Sequence, residues 1–305
     1  TSEWSSPCVV VPKKNNKLRL CIDYRKLNSI TLSSNFPIPR IEDLLDHLND
    51  AKYFSSLDLA SGYWQIKMSP ESIPYTSFVT STGQYEWLVM PFGLKGAPST
   101  FQRLMCKVLE EYLYKFVLCY FDDVLIYSRS TEEHTEHVLL VFQKLQQYSL
   151  KLNQDKCKFF LQSLSFLGHA VSKDGISIDN SHLENISNIK PPQNSQHLQA
   201  LLGLFNYYRK FIKNYADLIQ PIQCLMSQAS PIWTADCQRA LDSLKLVLSS
   251  KPLLRFPDWT KTFVVQTDAS SYALGAVLSQ RFDDSEHVIS YSSRKMTPPE
   301  TRYYV

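Results

Sequence analysis

The sequence predicts an α+β protein made of three successive modules. Apolar runs rich in aromatic and β-branched residues indicate buried strands. Amphipathic segments with a 3.6-residue period indicate helices between those runs. The pattern changes at Pro191-Pro192 and again near Trp233. With 305 residues, 44% of them hydrophobic and 20% charged, the chain is long enough for two or three domains with ordinary cores.

The first module opens with a predicted hairpin whose tip is basic. Residues 8–11 and 18–22 are apolar enough for two strands, and three lysines fall between them. The next predicted elements are, in chain order, an amphipathic helix over 41–48, strands over 63–90 with a turn at 81–83, a helix that Ser99 caps, and a helix that ends near Ser149. Later come a hairpin turn at 173–175, an amphipathic helix over 198–208, a helix that ends near Leu248, and strands over 263–267, 273–280 and 287–291.

Two adjacent carboxylates, Asp122 and Asp123, interrupt an apolar run that is long enough for two strands. They are predicted to form the tight turn of a hairpin, and Asp58 ends another predicted strand. If that strand pairs beside the hairpin, three carboxylates converge at one edge of a sheet. Such carboxylates repel one another unless a cation lies between them, and two-metal phosphoryl transfer needs this arrangement. The alternative stays open, because Asp is common in turns where its side chain bonds its own backbone.

The net charge is only +3, but basic residues are concentrated in two stretches. Residues 1–30 contain six basic and two acidic side chains. Residues 185–216 contain Lys190, Arg209, Lys210 and Lys213 and no acidic side chain. Two such surfaces fit a groove that follows a phosphate backbone, although solvated protein faces also carry lysine by default.

Cysteine and histidine patterns argue against a zinc site. The seven cysteines are scattered without a CxxC pair, which indicates a reducing intracellular compartment, either a cytoplasmic particle or the nucleus. His134 and His137 have the spacing of a metal pair, but Ser130 and Glu133 form a capping-box pattern, which favours an exposed helix. No run of about 18 apolar residues predicts a membrane span, so no membrane partner is expected. The start at Thr1 and the end at Val305 suggest a fragment of a longer protein.

Several longer motifs occur in a fixed order over nearly the whole chain. They are LCIDYRKLN at 20–28, FSSLDLASGY at 54–63, VMPFGL at 89–94, YFDD at 120–123, FLGH at 166–169 and LLGLFNYYR at 201–209. Together they resemble the reverse transcriptases of gypsy-type long-terminal-repeat retrotransposons. The resemblance implies a right-hand polymerase, with fingers and palm in residues 1–172 and a thumb in 173–232, followed by an incomplete ribonuclease H-like α/β domain in 233–305.

The same resemblance implies an RNA-directed DNA polymerase that extends a primer on an RNA or DNA template with deoxynucleoside triphosphates. Asp58, Asp122 and Asp123 match the family's metal-binding triad, which implies two Mg²⁺ ions, with Mn²⁺ as a substitute. The nucleic-acid partner would be an RNA–DNA hybrid or a DNA duplex. The parent would be a polyprotein that also contains a protease and an integrase.

The resemblance assigns contacts with the incoming nucleotide to Lys13, Lys14, Arg19, Tyr63 and Phe92. Arg19 and one of the two lysines would neutralise the triphosphate, and the choice between the lysines stays open. Tyr63 would pack beneath the sugar and exclude a 2′-hydroxyl, and Phe92 would stack where some relatives carry Gln. The alternatives are a solvated strand cation for Arg19 and an ordinary core aromatic for Tyr63.

Two further positions match the family outside the nucleotide site. Gly168 matches the loop that grips the primer, and Asp268 matches the first carboxylate of a ribonuclease H site. Glu300 falls too early to be the second carboxylate, so ribonuclease H activity is expected of the full-length parent and not of this chain. The rival interpretations are a non-catalytic nucleic-acid-binding remnant and a nuclease that acts through Asp268.

Overall fold

The computed structural model describes residues 2–12, 18–228, 232–270, 272–282 and 285–302, with only the backbone described at Arg19. The chain divides into two compact units, Thr1–Gln162 and Ser163–Val305. Lys13 and Lys14 lie outside the described residues. The first unit contains the strands β1 Ser6–Pro12, β2 Leu18–Ile22, β3 Tyr53–Asp58, β4 Phe78–Thr80, β5 Gly83–Tyr85, β6 Val117–Tyr120, β7 Asp123–Ser128 and β8 Lys158–Leu161. Its helices are α1 Arg25–Ile30, α2 Ile41–Asp46, α3 Ala97–Val108 and α4 Thr131–Gln147.

These strands form two four-stranded sheets, in the orders β2-β1-β4-β5 and β6-β7-β3-β8. The core of the unit lies on the second sheet, where Leu57, Val124 and Ile126 are fully buried. Phe101 and Met105 of α3 pack into the same cluster and are also fully buried. Each such side chain contributes about 1.5–3 kcal/mol when it leaves water. The ends of β3 and β7 are therefore fixed by the core beneath them.

The prediction of strands over 63–90 is right only in part, and the predicted cap of α3 is wrong. Strands β4 and β5 flank the predicted turn at 81–83, but 3₁₀ turns cover Gly62–Gln65 and Pro74–Thr76. Pro74 starts its turn because its fixed φ suits a helix start. Ser99 does not cap α3, since Gly96 is the N-cap residue and the Ser99 hydroxyl donates to the Gly96 carbonyl over 3.1 Å.

The capping box at the start of α4 is present, but the predicted exposure of the following histidine is wrong. Ser130 Oγ accepts a hydrogen bond from Glu133 N over 3.2 Å. His134 has no exposed surface, and its ring lies 2.7 Å from Ser55 Oγ and 2.8 Å from Ser128 Oγ. The imidazole thus joins α4 to β3 and β7. Burial lowers the pKa of His134 to about 4.

The second unit contains the strands β9 Ser163–Phe166, β10 His169–Ser172, β11 Gly175–Ile178, β12 Phe263–Ala269, β13 Ala273–Phe282 and β14 Ser285–Lys295. Its helices are α5 Asn180–Ser187, α6 Ser195–Tyr207, α7 Tyr215–Gln223 and α8 Ala235–Ser249. Two three-stranded sheets have the orders β11-β10-β9 and β12-β13-β14. The predicted hairpin, amphipathic helix and three late strands are all present, and the late strands are longer than predicted.

The sequence pattern predicts that the basic residues after α6 lie on the surface, but one of them is buried. Lys210 is only 9% exposed, and its ammonium lies 5.5 Å from the centre of the Phe211 ring. Arg209 and Lys213 are exposed. The basic stretch therefore presents fewer cations to solvent than its composition indicates.

Two findings bear on the predictions about membranes and cysteines. Within the part of the chain that the structure describes, no helix is long and apolar enough to cross a membrane. The seven cysteines are all free thiols.

The buried imidazole predicts a pH dependence of stability. The folded protein resists protonation of His134 until about pH 4, whereas the unfolded chain binds that proton near pH 6.5. We therefore expect the free energy of unfolding to fall, by up to about 3 kcal/mol from this residue, as the pH is lowered from 6.5 to 4. His134→Gln should show a shallower fall in urea titrations across this range. The exposed His197→Gln is the control, and an unchanged slope in His134→Gln would contradict the prediction.

Candidate active site

Asp58 and Asp123 face each other across two neighbouring strands. Asp58 is the last residue of β3, Asp123 is the first residue of β7, and the antiparallel register pairs them directly. Asp122 precedes Asp123 in the β6–β7 turn. The structure therefore brings the three predicted carboxylates to one edge of the buried sheet.

The turn that carries Asp122 lies one residue earlier than predicted. Tyr120 pairs with Asp123, so Phe121 and Asp122 form the two-residue turn. Phe121 adopts the left-handed conformation, with φ at +51°. Gln102 of α3 holds this turn, because its Oε1 accepts from Phe121 N over 2.6 Å and its Nε2 donates to the Cys119 carbonyl over 3.1 Å. These two bonds stabilise a conformation that Phe does not favour.

The three carboxylates are coupled electrostatically. Burial raises the pKa of Asp122, and the charges of Asp123 and then Asp58 raise it further. Burial followed by the charge of Asp58 also raises the pKa of Asp123. Asp122 Oδ1 is buried without a hydrogen-bond partner among the described residues. A buried acceptor of this kind requires a cation or a donor, and carboxylate oxygens are the ligands of hard divalent ions.

A lysine already contacts this cluster. The Lys156 ammonium lies 3.1 Å from Asp58 Oδ2 and 3.4 Å from Asp58 Oδ1. Its positive charge offsets part of the rise in the pKa of Asp122 and of Asp123. Among the described residues, no group of three or more His, Cys, Asp or Glu side chains is arranged to hold a metal ion. The three carboxylates are the type of ligand that a divalent cation prefers, and they lie along one sheet edge. They do not form a complete coordination site by themselves.

A glycine sets the distance between the turn and the core. A Cβ atom placed on Gly62 would lie 2.9 Å from the Phe101 ring and 3.0 Å from Asp122 Oδ1. Only a residue without a side chain fits there. Sequence reasoning missed the roles of Gly62, Gln102 and Lys156, although Gly62 lies inside a motif that carried the resemblance.

The predicted sugar-contacting residue lies beside the carboxylates. The Tyr63 ring centre is 5.0 Å from that of Phe92 and 5.5 Å from that of Phe101. Burial raises the pKa of Tyr63, and the charge of Asp122 raises it further. Phe92 is 45% exposed, so part of its side chain is accessible to solvent beside Tyr63. The structure thus brings Tyr63, Phe92 and Asp122 together.

The remaining predicted residues of the nucleotide site are described only in part. Lys13 and Lys14 fall outside the described residues, and Arg19 is known only as a backbone position of β2 opposite Val11. Their assignment to the triphosphate stays a prediction.

Gly168 belongs to the second unit, in the turn between β9 and β10. Leu167 and Gly168 both have positive φ, at +48° and +76°. The Tyr207 hydroxyl donates to the Leu167 carbonyl over 2.6 Å, and the Tyr208 hydroxyl donates to the Gly168 carbonyl over 3.2 Å. These bonds from the end of α6 fix the conformation of the turn.

Asp268 lies on β12 opposite Gly275, and its side chain is exposed. The charge of Asp268 acts on Asp217 of α7. Burial raises the pKa of Asp217, and the charge of Asp268 raises it further. Glu300 is held by Arg294, with two contacts of 2.8 Å, and this pairing lowers the pKa of Glu300 to about 2. The Glu300 carboxylate is therefore paired with Arg294.

Residues 11–171, more than half of the chain, match the family described as reverse transcriptase (RNA-dependent DNA polymerase). The chain belongs to the reverse transcriptase family. Residues 233–305 match the RNase H-like domain found in reverse transcriptases. The predicted relationship to gypsy-type retrotransposons and the predicted α+β reverse transcriptase fold with a following RNase H-like domain are both confirmed.

Individual proteins support this placement within the reverse transcriptases. The chain is 44% identical over 309 residues to the retrovirus-related Pol polyprotein from transposon 297 of Drosophila melanogaster, covering 99% of this chain and 29% of that protein. A foamy viral protease-reverse transcriptase (dRH) in complex with ds DNA matches with a TM-score of 0.90 and 26% identity, over 100% of this chain and 54% of that one. The foamy viral enzyme in complex with an RNA/DNA hybrid matches with a TM-score of 0.84 and 25% identity, over 100% and 41%.

The close fit at Gly62 predicts that this position tolerates no side chain. Gly62→Ala should push against Phe101 and Asp122 and lower the free energy of unfolding by about 1–3 kcal/mol, measured by urea titration. Gly96→Ala is the matched control, because an added Cβ there meets nothing within 4 Å. Equal stability of the two variants would show that the turn can move away from the added methyl group.

Proposed function

We propose that this chain is an RNA-directed DNA polymerase that adds deoxynucleotides to a primer 3′ end on an RNA or DNA template. The observation that carries the proposal is the direct pairing of Asp58 with Asp123 beside Asp122, in a chain of the reverse transcriptase family. Three carboxylates at a solvent-facing sheet edge suit a divalent-cation site, since one buried oxygen has no hydrogen-bond partner within the described part of the chain.

Asp58, Asp122 and Asp123 would hold two Mg²⁺ ions, or Mn²⁺ in their place, which would lower the pKa of the primer hydroxyl and stabilise the leaving pyrophosphate. The protein's own contribution is to preorganise the negative charge. Gln102 fixes the turn, Gly62 lets it approach the core, and the packed sheet prevents the carboxylates from moving apart. Preorganisation of this kind avoids reorganisation during the reaction.

The nucleotide would bind against Tyr63 and Phe92. Tyr63 packs between Phe92 and Phe101, so its ring has little freedom to yield to a 2′-hydroxyl. The exposed face of Phe92 offers stacking to the base or sugar. Lys13 or Lys14 together with Arg19 would neutralise the triphosphate.

The nucleic-acid partner would be a primer–template duplex, either an RNA–DNA hybrid or DNA. Support comes from the structural relatives, which are complexes with ds DNA and with an RNA/DNA hybrid. Gly168 would contact the primer from a turn that two tyrosine hydroxyls hold in place. Residues 1–172 would form fingers and palm, and residues 173–232 would form the thumb.

The third predicted module, 233–305, would contribute Asp268 to a ribonuclease H site of the parent protein. The parent would be a polyprotein, as the Pol polyprotein from transposon 297 is by its name. This parent would also carry a protease and an integrase. The chain spans less than a third of that relative's length, so these parts are proposed from the family relationship.

Loss of one triad carboxylate should abolish synthesis and leave duplex binding intact. Asp123→Asn should reduce extension of oligo(dT) on poly(rA) with dTTP and Mg²⁺ at least about a hundredfold, because it removes a carboxylate that would hold the metal ions of the reaction. Binding of the primer–template should change by less than about threefold, since phosphate contacts dominate affinity. The matched control is Asp174→Asn in an exposed turn of the second unit. Duplex binding by the wild type without any metal-dependent extension would instead favour the non-catalytic rival.

The position of Tyr63 predicts sugar selectivity. Tyr63→Val should increase the use of a ribonucleotide relative to its deoxynucleotide by about tenfold or more, because a pocket without the ring no longer opposes a 2′-hydroxyl. The ratio of kcat/KM values for dUTP and UTP, which differ only in the 2′-hydroxyl, measures the effect. Tyr148→Val, at an exposed tyrosine after α4, is the control and should leave the ratio unchanged. An unchanged ratio in Tyr63→Val would assign this ring to packing alone.

A further inference from the structure

The lysine that contacts Asp58 is held in place by the strand that carries Asp58. The turn before β8 is tied to the end of β3, because Asn153 N donates to the Asp58 carbonyl over 2.8 Å and Leu152 bridges to Leu59. Lys156 ends the 3₁₀ turn Gln154–Lys156 that follows. Its backbone is therefore fixed relative to the carboxylate, and its ammonium reaches both carboxylate oxygens.

From this geometry we propose that Lys156 is a built-in counter-ion of Asp58 that competes with a divalent metal ion for this carboxylate. The proposal rests on the proposed function, because it takes Asp58 to be a metal ligand. Three carboxylates at one edge require positive charge, and Lys156 supplies it through the ion pair that the structure shows. A metal ion that binds Asp58 must displace the ammonium or stay beside it against repulsion.

The exposure of the pair makes Lys156 a displaceable competitor. The Lys156 side chain is 64% exposed and that of Asp58 is 30% exposed. Ion pairs this accessible to water are weak, so a divalent ion with several oxygen ligands can replace the lysine.

Lys158 provides a matched control. It is two residues further along, at the start of β8, where it pairs with Ser56 of the same strand β3. Its side chain is exposed, and none of the ion pairs that the structure shows involves it. Substituting it changes the charge of this region by the same amount without removing the contact with Asp58.

The test is a Mn²⁺ titration of the complete chain, followed by electron paramagnetic resonance of the free ion. Lys156→Gln should lower the dissociation constant of the Asp123-dependent site by about three- to tenfold, because a repelling unit charge is removed from the ligand cluster. Lys156→Arg and Lys158→Gln should stay within about twofold of the wild type. The difference in dissociation constant between Lys156→Gln and the wild type should become smaller as the ionic strength rises, since salt screens exposed charges.

The direction of the change separates competition from structural support. A lysine that merely supported the site would weaken Mn²⁺ binding when removed, so unchanged or weaker binding in Lys156→Gln overturns the inference while the proposed function stands. Wild-type Mn²⁺ binding that Asp123→Asn leaves unaltered would overturn the proposed function together with this inference. Tighter Mn²⁺ binding by Lys156→Gln, and not by Lys156→Arg or Lys158→Gln, supports competition between Lys156 and the metal ion.

Discussion

The pairing of β3 with β7 is the constraint on which the site depends. It places Asp58 opposite Asp123 and leaves Asp122 in the adjoining turn. Two like charges about 4 Å apart near a protein surface repel by about 4 kcal/mol. Burial of a single large apolar side chain offsets about 1.5–3 kcal/mol, and Leu57, Val124 and Ile126 are all fully buried on these strands. The burial of these side chains therefore supplies a stabilisation of the same order as the repulsion and holds the two strand ends together.

A second layer of contacts sets the fine geometry of the turn. Gln102 accepts from the Phe121 N–H and donates to the Cys119 carbonyl, and Gly62 gives the Asp122 carboxylate and the Phe101 ring room to lie close together. Both residues are on elements that pack against the sheet without belonging to it. The position of Asp122 is thus decided by three separate segments of the chain, which meet only in the folded unit.

Local patterns predicted most of the elements, and errors arose where partners are distant in sequence. The apolar runs around Asp58 and Asp122 indicated their strands, but the turn was placed one residue late, because hydrophobicity alone assigned Phe121 to a strand. His134 looked exposed in a polar helix, since its partner Ser55 is 79 residues away. Lys156 is 98 residues from Asp58, so no local pattern could connect them. The prediction of strands over 63–90 holds only for β4 and β5, because Gly62–Gln65 and Pro74–Thr76 form 3₁₀ turns, the second of which starts at a proline.

The site combines a rigid part with an adjustable part. The carboxylates are carried by strands that pack into a buried core. Moving these strands would expose several buried side chains, so the carboxylate backbone positions should stay the same whether or not a ligand is bound. Their charge balance depends on Lys156, an exposed side chain on a turn, which can move at little energetic cost. Metal ions and phosphates enter and leave during each catalytic cycle of the proposed reaction. Under the proposed function this exchange would need no change in the sheet, because displacement of the Lys156 side chain would free Asp58 for a metal ion.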